Sequence, residues 1–334
     1  MHYKLFAGID ISKDSVDVVI LVVDTPDQYN HQSFSNDYAG FDQMLKWIDS
    51  TTSVSLKDIL FCCEHTGLYT NPLCTWMTGK EGQLCVENAL QIKRSIGLKR
   101  GKSDKADAYA IARYAFTNKH QVRLYQQPPA TITRIKHLLG YREQLVRHQV
   151  SFKSAVSELK AFDKTNAAFC IDESDEWIKL YAKKIKEVDE QLNTVIQNDP
   201  ELSNQFELVR SVYGIGKQTA FFILIHTQAF TAFSDYRKFA CYCGIAPFEY
   251  SSGSSIRGRT RISSLANKKL KSLLTMCALN TVKVDNEFQR YYLRKKAEGK
   301  STLCVMNVIK NKLISRVFAA VRNGRPYQPE ILLT

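Results

Sequence analysis

The chain has 334 residues, 44% of them hydrophobic, enough for two or three domains with cores of their own. Its 46 Lys and Arg against 33 Asp and Glu leave a net charge of +13 and a pI of about 9.2, a balance that suits a polyanionic partner better than a small acidic substrate and equally suits plain solubility. No apolar stretch approaches bilayer length and no secretory leader pattern opens the chain. The nine cysteines lack zinc-knuckle spacing, so the expectation is a cytoplasmic protein, off the membrane, with reduced and mostly buried thiols.

Residues 3–10, 16–23 and roughly 30–35 read as three strands, the first two joined by the polar turn Ser12, Lys13, Asp14. A helical pattern follows from Tyr38 to Ile48. Next come a strand from Ile59 to Cys63 that runs into Glu64, a helix near Tyr69 to Met77, a short strand at Leu84 to Glu87, and a helix carrying Asp104 and Asp107. Three strands, helix, strand, helix, strand, helix is the ribonuclease-H-like order, an α/β layout with an antiparallel edge on an otherwise parallel sheet.

Gln126, Gln127, Pro128 and Pro129 interrupt this pattern, setting the expected first domain at 1–125. Beyond them, Ile132, Ile135, Leu138, Leu145, Phe152, Val156 and Leu159 recur at helical spacing, and so do Trp177, Tyr181, Ile185, Val188, Leu192 and Val195. The segment 126–200 therefore reads either as a coiled-coil arm of two antiparallel helices or as an ordinary helical subdomain. Residues 201–334 form a third, mostly helical segment. In it Gly214-Ile215-Gly216-Lys217 opens a helix as in helix-hairpin-helix modules, where glycines let backbone N–H groups approach a phosphate; a plain interhelical turn is the other reading. The stretch from Tyr250 to Arg261 reads as a flexible, hydroxyl-rich, cationic loop with Ser251, Ser252, Arg257, Arg259 and Arg261, followed by basic helices.

Four acids carry the chemistry. Asp10 and Glu64 close two strands, and Asp104 and Asp107 stand three apart at a helix start, so that both fall on one helix face. Taken singly, each has an ordinary reading, since carboxylates favour helix N-termini and Ser103 with Asp104 could simply cap the helix. Together, in this order, they form a hard-oxygen set suited to Mg²⁺, which in pairs clamps the attacking and leaving oxygens of a phosphodiester. Lys102 and Lys105 flank the aspartate pair and can reach phosphates. A serine of the cationic loop could serve as nucleophile beside Arg257, Arg259 and Arg261, or the loop could only grip phosphate.

The segments Gly8-Ile9-Asp10-Ile11-Ser12-Lys13, Glu64-His65-Thr66-Gly67 and Lys102-Ser103-Asp104-Lys105-Ala106-Asp107-Ala108 belong to one pattern with Gly214-Ile215-Gly216, Gly244-Ile245-Ala246-Pro247 and Ser251-Ser252-Gly253. Over nearly its full length the chain resembles the DEDD transposases of the insertion-sequence-110 type, relatives of the Piv invertase. The resemblance implies a RuvC-like nuclease domain, a coiled-coil arm for homo-oligomerisation as dimer or tetramer, and a C-terminal transposase domain whose serine joins the acidic site. It implies that Asp10, Glu64, Asp104 and Asp107 bind Mg²⁺, with Mn²⁺ as a substitute. Ser252, directly before Gly253, would be the nucleophile that forms a phosphoserine link to DNA, with Ser251 the alternative. It further implies donor and target DNA and a bridge RNA as partners, Gly214, Gly216 and Lys217 among the nucleic-acid contacts, and action on the bacterial nucleoid. Two other readings compete: a RuvC-like endonuclease acting by metal-dependent hydrolysis alone, and a nucleic-acid-binding protein with a degenerate nuclease fold.

Overall fold

The computed structural model describes residues 3–24, 28–95, 97, 103–252, 256–262 and 265–328. The chain divides into two compact units, Met1–Gln127 and Pro128–Thr334.

The first unit is built on β1 (Leu5–Ile11), β2 (Ser15–Val22), β3 (Tyr29–Ser35), α1 (Tyr38–Thr52), β4 (Ile59–Glu64), α2 (Asn71–Gly79), β5 (Gln83–Glu87), α3 (Ala89–Ser95) and α4 (Asp104–Asn118). Its sheet has the order β3-β2-β1-β4-β5. β1 and β2 and then β2 and β3 pair antiparallel, whereas β1, β4 and β5 run parallel, the ribonuclease-H-like layout. β1 is buried along nearly its whole length, as a central strand covered on both faces must be. One sheet face packs Leu5, Ala7, Ile9, Phe61 and Cys63 against Phe41, Met44 and Ile48 of α1 and Leu73 and Met77 of α2. The other packs Phe6, Val19, Leu60, Cys62 and Cys85 against Ile92 of α3 and Ala108, Ile111, Ala112 and Ala115 of α4. The adjacent Cys62 and Cys63 thus serve opposite faces, and all nine cysteines are free thiols, six of them buried.

α4 reaches the sheet unusually closely. A Cβ on Gly8 would lie 2.2 Å from the backbone nitrogen of Ala112 and 2.3 Å from the carbonyl oxygen of Ala108, so only glycine lets this helix settle on β1. The alanines of α4 serve the same end, and Phe116 one turn on meets Phe6 edge to face at 5.3 Å.

The second unit begins with α5 (Ala130–Phe162) and α6 (Ala168–Gln197), two long helices packed side by side. α7 (Pro200–Arg210), α8 (Lys217–Thr227), α9 (Tyr236–Tyr242), β6 (Pro247–Ser252), β7 (Ile256–Ile262), α10 (Lys268–Thr281), α11 (Glu287–Ala297) and α12 (Thr302–Asn323) follow. Ile132, Ile135 and Leu139 of α5 and Val188, Leu192 and Val195 of α6 share one core with α7, α8, α10 and α12. Asp189 ties the pair to α8: it receives two hydrogen bonds from Arg142, at 2.7 and 3.2 Å, and one from Gln218 at 3.0 Å. At the far end only Val156, Ala167 and Ile171 form a small cluster, and Phe162 and Phe169 are exposed. Asn198-Asp199-Pro200 ends α6 as the sequence suggests, because the Asp199 side chain caps α7 by accepting from the Leu202 amide at 3.1 Å, with Pro200 in the first turn.

Two elements differ from the sequence reading. The short α3 had no forecast, and the cationic loop is a hairpin: β6 and β7 pair antiparallel with Ser252 opposite Ile256, Ser251 opposite Arg257 and Tyr250 opposite Gly258. β6 and β7 form a two-stranded sheet of their own, outside the five-stranded sheet, so the alternation that marks the strands of that sheet does not announce them.

Gly8→Ala is expected to destabilise the first unit by about 3 kcal/mol, because the added methyl meets backbone that cannot yield. Gly140→Ala in α5, where a Cβ meets nothing within 4 Å, should be neutral or stabilising by about 0.5–1 kcal/mol. Urea unfolding of the two variants measures both.

Candidate active site

Residues at alternate strand positions share a face, so Asp10 lies on the α4 side with Phe6 and Gly8, and Glu64 lies there with Leu60 and Cys62. The parallel register of β1 and β4, paired through Ile9 and Cys63, carries both strands to this end of the sheet, where Asp10 and Glu64 come next. Asp104 and Asp107 occupy the first turn of α4. The helix cap is supplied by Ser103, whose side chain accepts from the Ala106 amide at 3.2 Å, so Asp104 is not spent on capping. Among the described residues, none of these four carboxylates makes a side-chain hydrogen bond or ion pair.

They nonetheless feel one another. Asp10 is half-buried, and burial, followed by the charges of Asp107, Asp104, Glu64 and Asp17, pushes its carboxyl up from 3.8 to about 6. No three His, Cys, Asp or Glu side chains among the described residues stand close enough to hold an ion as they are, so binding one requires the carboxylates to draw together. Their chemistry fits a hard divalent cation: all four donors are carboxylate oxygens, they come from three separate elements, and their mutual repulsion is what a cation would relieve.

Two further carboxylates on the same face escaped the sequence reading. Asp17 is the register partner of Asp10, and Glu87 that of Glu64. Both are engaged: Asp17 Oδ1 is bonded to His31 Nε2 at 2.8 Å and accepts from Ser33 at 2.6 Å, while Glu87 accepts from the Tyr114 hydroxyl at 2.9 Å and from the Asn88 amide at 2.9 Å. The bound pair thus flanks the unbound quartet. The signal for them lay in their strand parity, which becomes readable only once strand register is known. His65, adjacent to Glu64, accepts from the Gly67 amide through Nδ1 at 3.3 Å, so its ring orients the following turn.

Of the cationic positions, Lys102 lies outside the described residues. Lys105 is exposed and stands 5.2 Å from the centre of the Tyr29 ring. Gly214 has a packing reason for its positive φ of 75°: a Cβ there would meet Thr281 and the Cys277 carbonyl of α10. Gly216 faces open space at the start of α8, followed by the exposed Lys217. Arg257, Arg259 and Arg261 occupy alternate positions of β7, across the ribbon from the strand that ends at Ser252; Gly253, Ser254 and Ser255 lie outside the described residues.

A family model described as a transposase of the DEDD, IS110 kind matches residues 7–159, a span that holds all four carboxylates, and a second, "Transposase IS116/IS110/IS902 family", matches residues 206–293, which hold the hairpin. The chain is 27% identical over 333 residues to the pilin gene-inverting proteins of Moraxella bovis and Moraxella lacunata, covering 98% of this chain and 99% of each relative. It is 30% identical over 138 residues to the insertion element IS110 uncharacterized 43.6 kDa protein of Streptomyces coelicolor, covering 41% of this chain and 33% of that protein. Among solved structures, Thermus thermophilus RuvC aligns over 36% of this chain and 99% of its own with 12% identity and a TM-score of 0.28. RuvC in complex with a Holliday junction substrate aligns over 37% of this chain and 100% of its own, at 10% identity and the same score. The two family matches together take in well over half of the sequence, and the chain belongs to the IS110-type transposases, enzymes that cut and rejoin DNA. Among the described residues no helix is long and apolar enough to cross a membrane.

The raised Asp10 carboxyl fixes the sign of a pH effect. Its folded value of about 6 exceeds the unfolded 3.8, so the folded state holds the extra proton between those values, and a destabilising charge develops as pH rises through that window. The rise corresponds to about 3 kcal/mol before solvent screening and about 1–2 kcal/mol once partial exposure is allowed for. In chelator at pH 7.5, Asp10→Asn should therefore melt above wild type, with the gap closing toward pH 4. Equal or lower stability of the variant at pH 7.5 contradicts the crowding of these carboxylates.

Proposed function

We propose that the chain is a site-specific recombinase of an insertion element that exchanges DNA strands with Asp10, Glu64, Asp104, Asp107 and Ser252. The observation that carries the acidic part is the set of four carboxylates on the α4 side of the sheet, without partners among the described residues, with Asp10 pushed up to about 6 by burial and then by the charges of Asp107, Asp104, Glu64 and Asp17. They would hold Mg²⁺, or Mn²⁺ in its place. Bound there, the cation would neutralise phosphate charge and lower the barrier to displacement at phosphorus.

The protein's part is then positioning and nucleophilic attack. The Ser252 oxygen forms a bond to the scissile phosphorus, the bond from phosphorus to one deoxyribose oxygen breaks, and that oxygen takes up a proton to leave as a free hydroxyl end. The serine proton passes to water or to a carboxylate. Attack by a hydroxyl end of the exchanged strand on the phosphoserine reverses these events and restores the serine, so phosphodiester bonds are conserved without an external energy source. Lys102 and Lys105 beside the aspartates, Gly214, Gly216 and Lys217 at the start of α8, and Arg257, Arg259 and Arg261 on β7 supply contacts to phosphates. The excess of basic residues supports such contacts.

A bridge RNA that pairs with donor and target DNA would choose the sites, leaving the protein to grip backbone and shape. Residues 1–125 would act as nuclease domain, 126–200 as the arm through which copies assemble into a dimer or tetramer, and 201–334 as the serine-bearing transposase domain, working on nucleoid DNA in the cytoplasm.

Strand exchange with matched donor and target DNA, the candidate RNA and Mg²⁺, resolved on denaturing gels, tests this. A protein-linked DNA band should form with wild type and Ser251→Ala and vanish with Ser252→Ala and Asp10→Ala. Nicked DNA without any linked species, undiminished in Ser252→Ala, would replace strand exchange with hydrolysis.

A further inference from the structure

The edge strand β3 presents Tyr29, His31 and Ser33 at alternate positions, and these share the sheet face that carries α4. His31 and Ser33 are committed to Asp17. Tyr29 is not tied down in this way. It is 40% exposed, and its ring stands 4.8 Å from that of Tyr109 on α4, inclined at 44°. Lys105, one turn before Tyr109 and next to Asp104, stands 5.2 Å above the Tyr29 ring.

The position of Lys105 is informative. A lysine beside Asp104 and two residues from Asp107 has carboxylates close by in sequence, yet among the described residues it forms no ion pair with either. It leans instead on an aromatic face, exposed to solvent. Two packed rings, one of them 40% exposed, a cation that among the described residues has no ion pair, and a location alongside the first turn of α4 form a recognisable combination. Single-stranded nucleic acid is held by aromatic faces that stack on bases and by cations that take the flanking phosphates.

We infer that Tyr29 and Tyr109, with Lys105, form a stacking subsite for one unpaired nucleotide of the DNA strand that is processed at the acidic quartet. The base lies against the part of the Tyr29 ring left exposed by Tyr109 and Lys105, and its flanking phosphate meets the Lys105 ammonium. The subsite rests on the nuclease reading of Asp10, Glu64, Asp104 and Asp107, and it gives that site a preference: strands that are open, gapped or exchanging bind better than continuous duplex, whose bases are already stacked on one another. Stacking reads no sequence, so the subsite adds affinity for unpaired strand without restricting the target.

The test is fluorescence anisotropy of the full-length protein with a short labelled single-stranded DNA of mixed sequence and with the same sequence as duplex, both in chelator so that nothing is cut. Tyr29→Leu, which keeps apolar volume and removes the ring, should weaken single-strand binding about 10-fold while duplex binding changes by less than about twofold. Tyr29→Phe should bind as wild type. Unchanged single-strand affinity in Tyr29→Leu, or equal losses on both DNAs, overturns the proposal. Tyr29→Trp keeps a ring and serves as a second readout should Tyr29→Leu fail to fold: single-stranded DNA should quench the added indole emission relative to wild type, and no added quenching overturns the subsite. Lys105→Gln should reduce the salt dependence of single-strand binding by about one phosphate contact, and an unaltered salt slope removes Lys105 from it. Because this assay reads binding in chelator and the adduct assay reads chemistry, failure of the stacking subsite and failure of the recombinase reading are distinguishable.

Discussion

At Gly8 the backbones of β1 and α4 meet with no side chain between them, and the acidic face of the first unit depends on that contact. Helix and strand are brought so near that the first turn of α4 overlooks the end of β1, where Asp10 sits two residues beyond Gly8. The parallel partner β4 ends beside β1 and delivers Glu64 to the same edge. Four carboxylates from three elements are thus gathered by backbone packing, with no hydrogen bonds among the side chains themselves. The small residues Ala108, Ala112 and Ala115 extend the close approach along the helix, so the geometry of the site is set by what α4 lacks as much as by what it carries.

Such a gathering is electrostatically unfavourable, and the surroundings keep the conflict local. Asp17 and Glu87, the register neighbours on either side, are satisfied by His31, Ser33, Tyr114 and the Asn88 amide. Among the described residues the central four have no such donors, and Asp10, half-buried, has its carboxyl pushed up to about 6 by burial and by its acidic neighbours. Uncompensated charge at the middle of a row whose ends are compensated is an arrangement that a divalent cation relieves. The exposed Lys105 leans on Tyr29 and forms no ion pair with Asp104 or Asp107, so it would not compete with a cation there.

The sheet and its acids were legible in the sequence because β1, β4 and the start of α4 each carry one strong pattern: apolar runs bounded by an acid, then a serine cap followed by two acids three apart. The paired helices α5 and α6 were legible from apolar spacing sustained over many turns. What escaped had a physical reason for escaping. α3 is seven residues long and buries a single side chain, Ile92, too little to impose a period. Among the described residues β6 and β7 pair with each other alone, outside the five-stranded sheet, and their Ser, Gly and Arg residues follow no apolar alternation. Asp17 and Glu87 look like ordinary polar strand positions until register sets them beside Asp10 and Glu64. The meeting of Tyr29 with Tyr109 joins positions eighty residues apart, which no local pattern announces. Gly8 is visible as a glycine, but its need to be one belongs to a helix a hundred residues later.

The central claim is that these four carboxylates serve one divalent ion. Anomalous diffraction from crystals grown with Mn²⁺ tests it most directly. The account predicts a peak at bonding distance, roughly 2.0–2.3 Å, from Asp10 and from at least two of Glu64, Asp104 and Asp107. A peak elsewhere on the chain, or none at Mn²⁺ concentrations that support strand exchange, would contradict it.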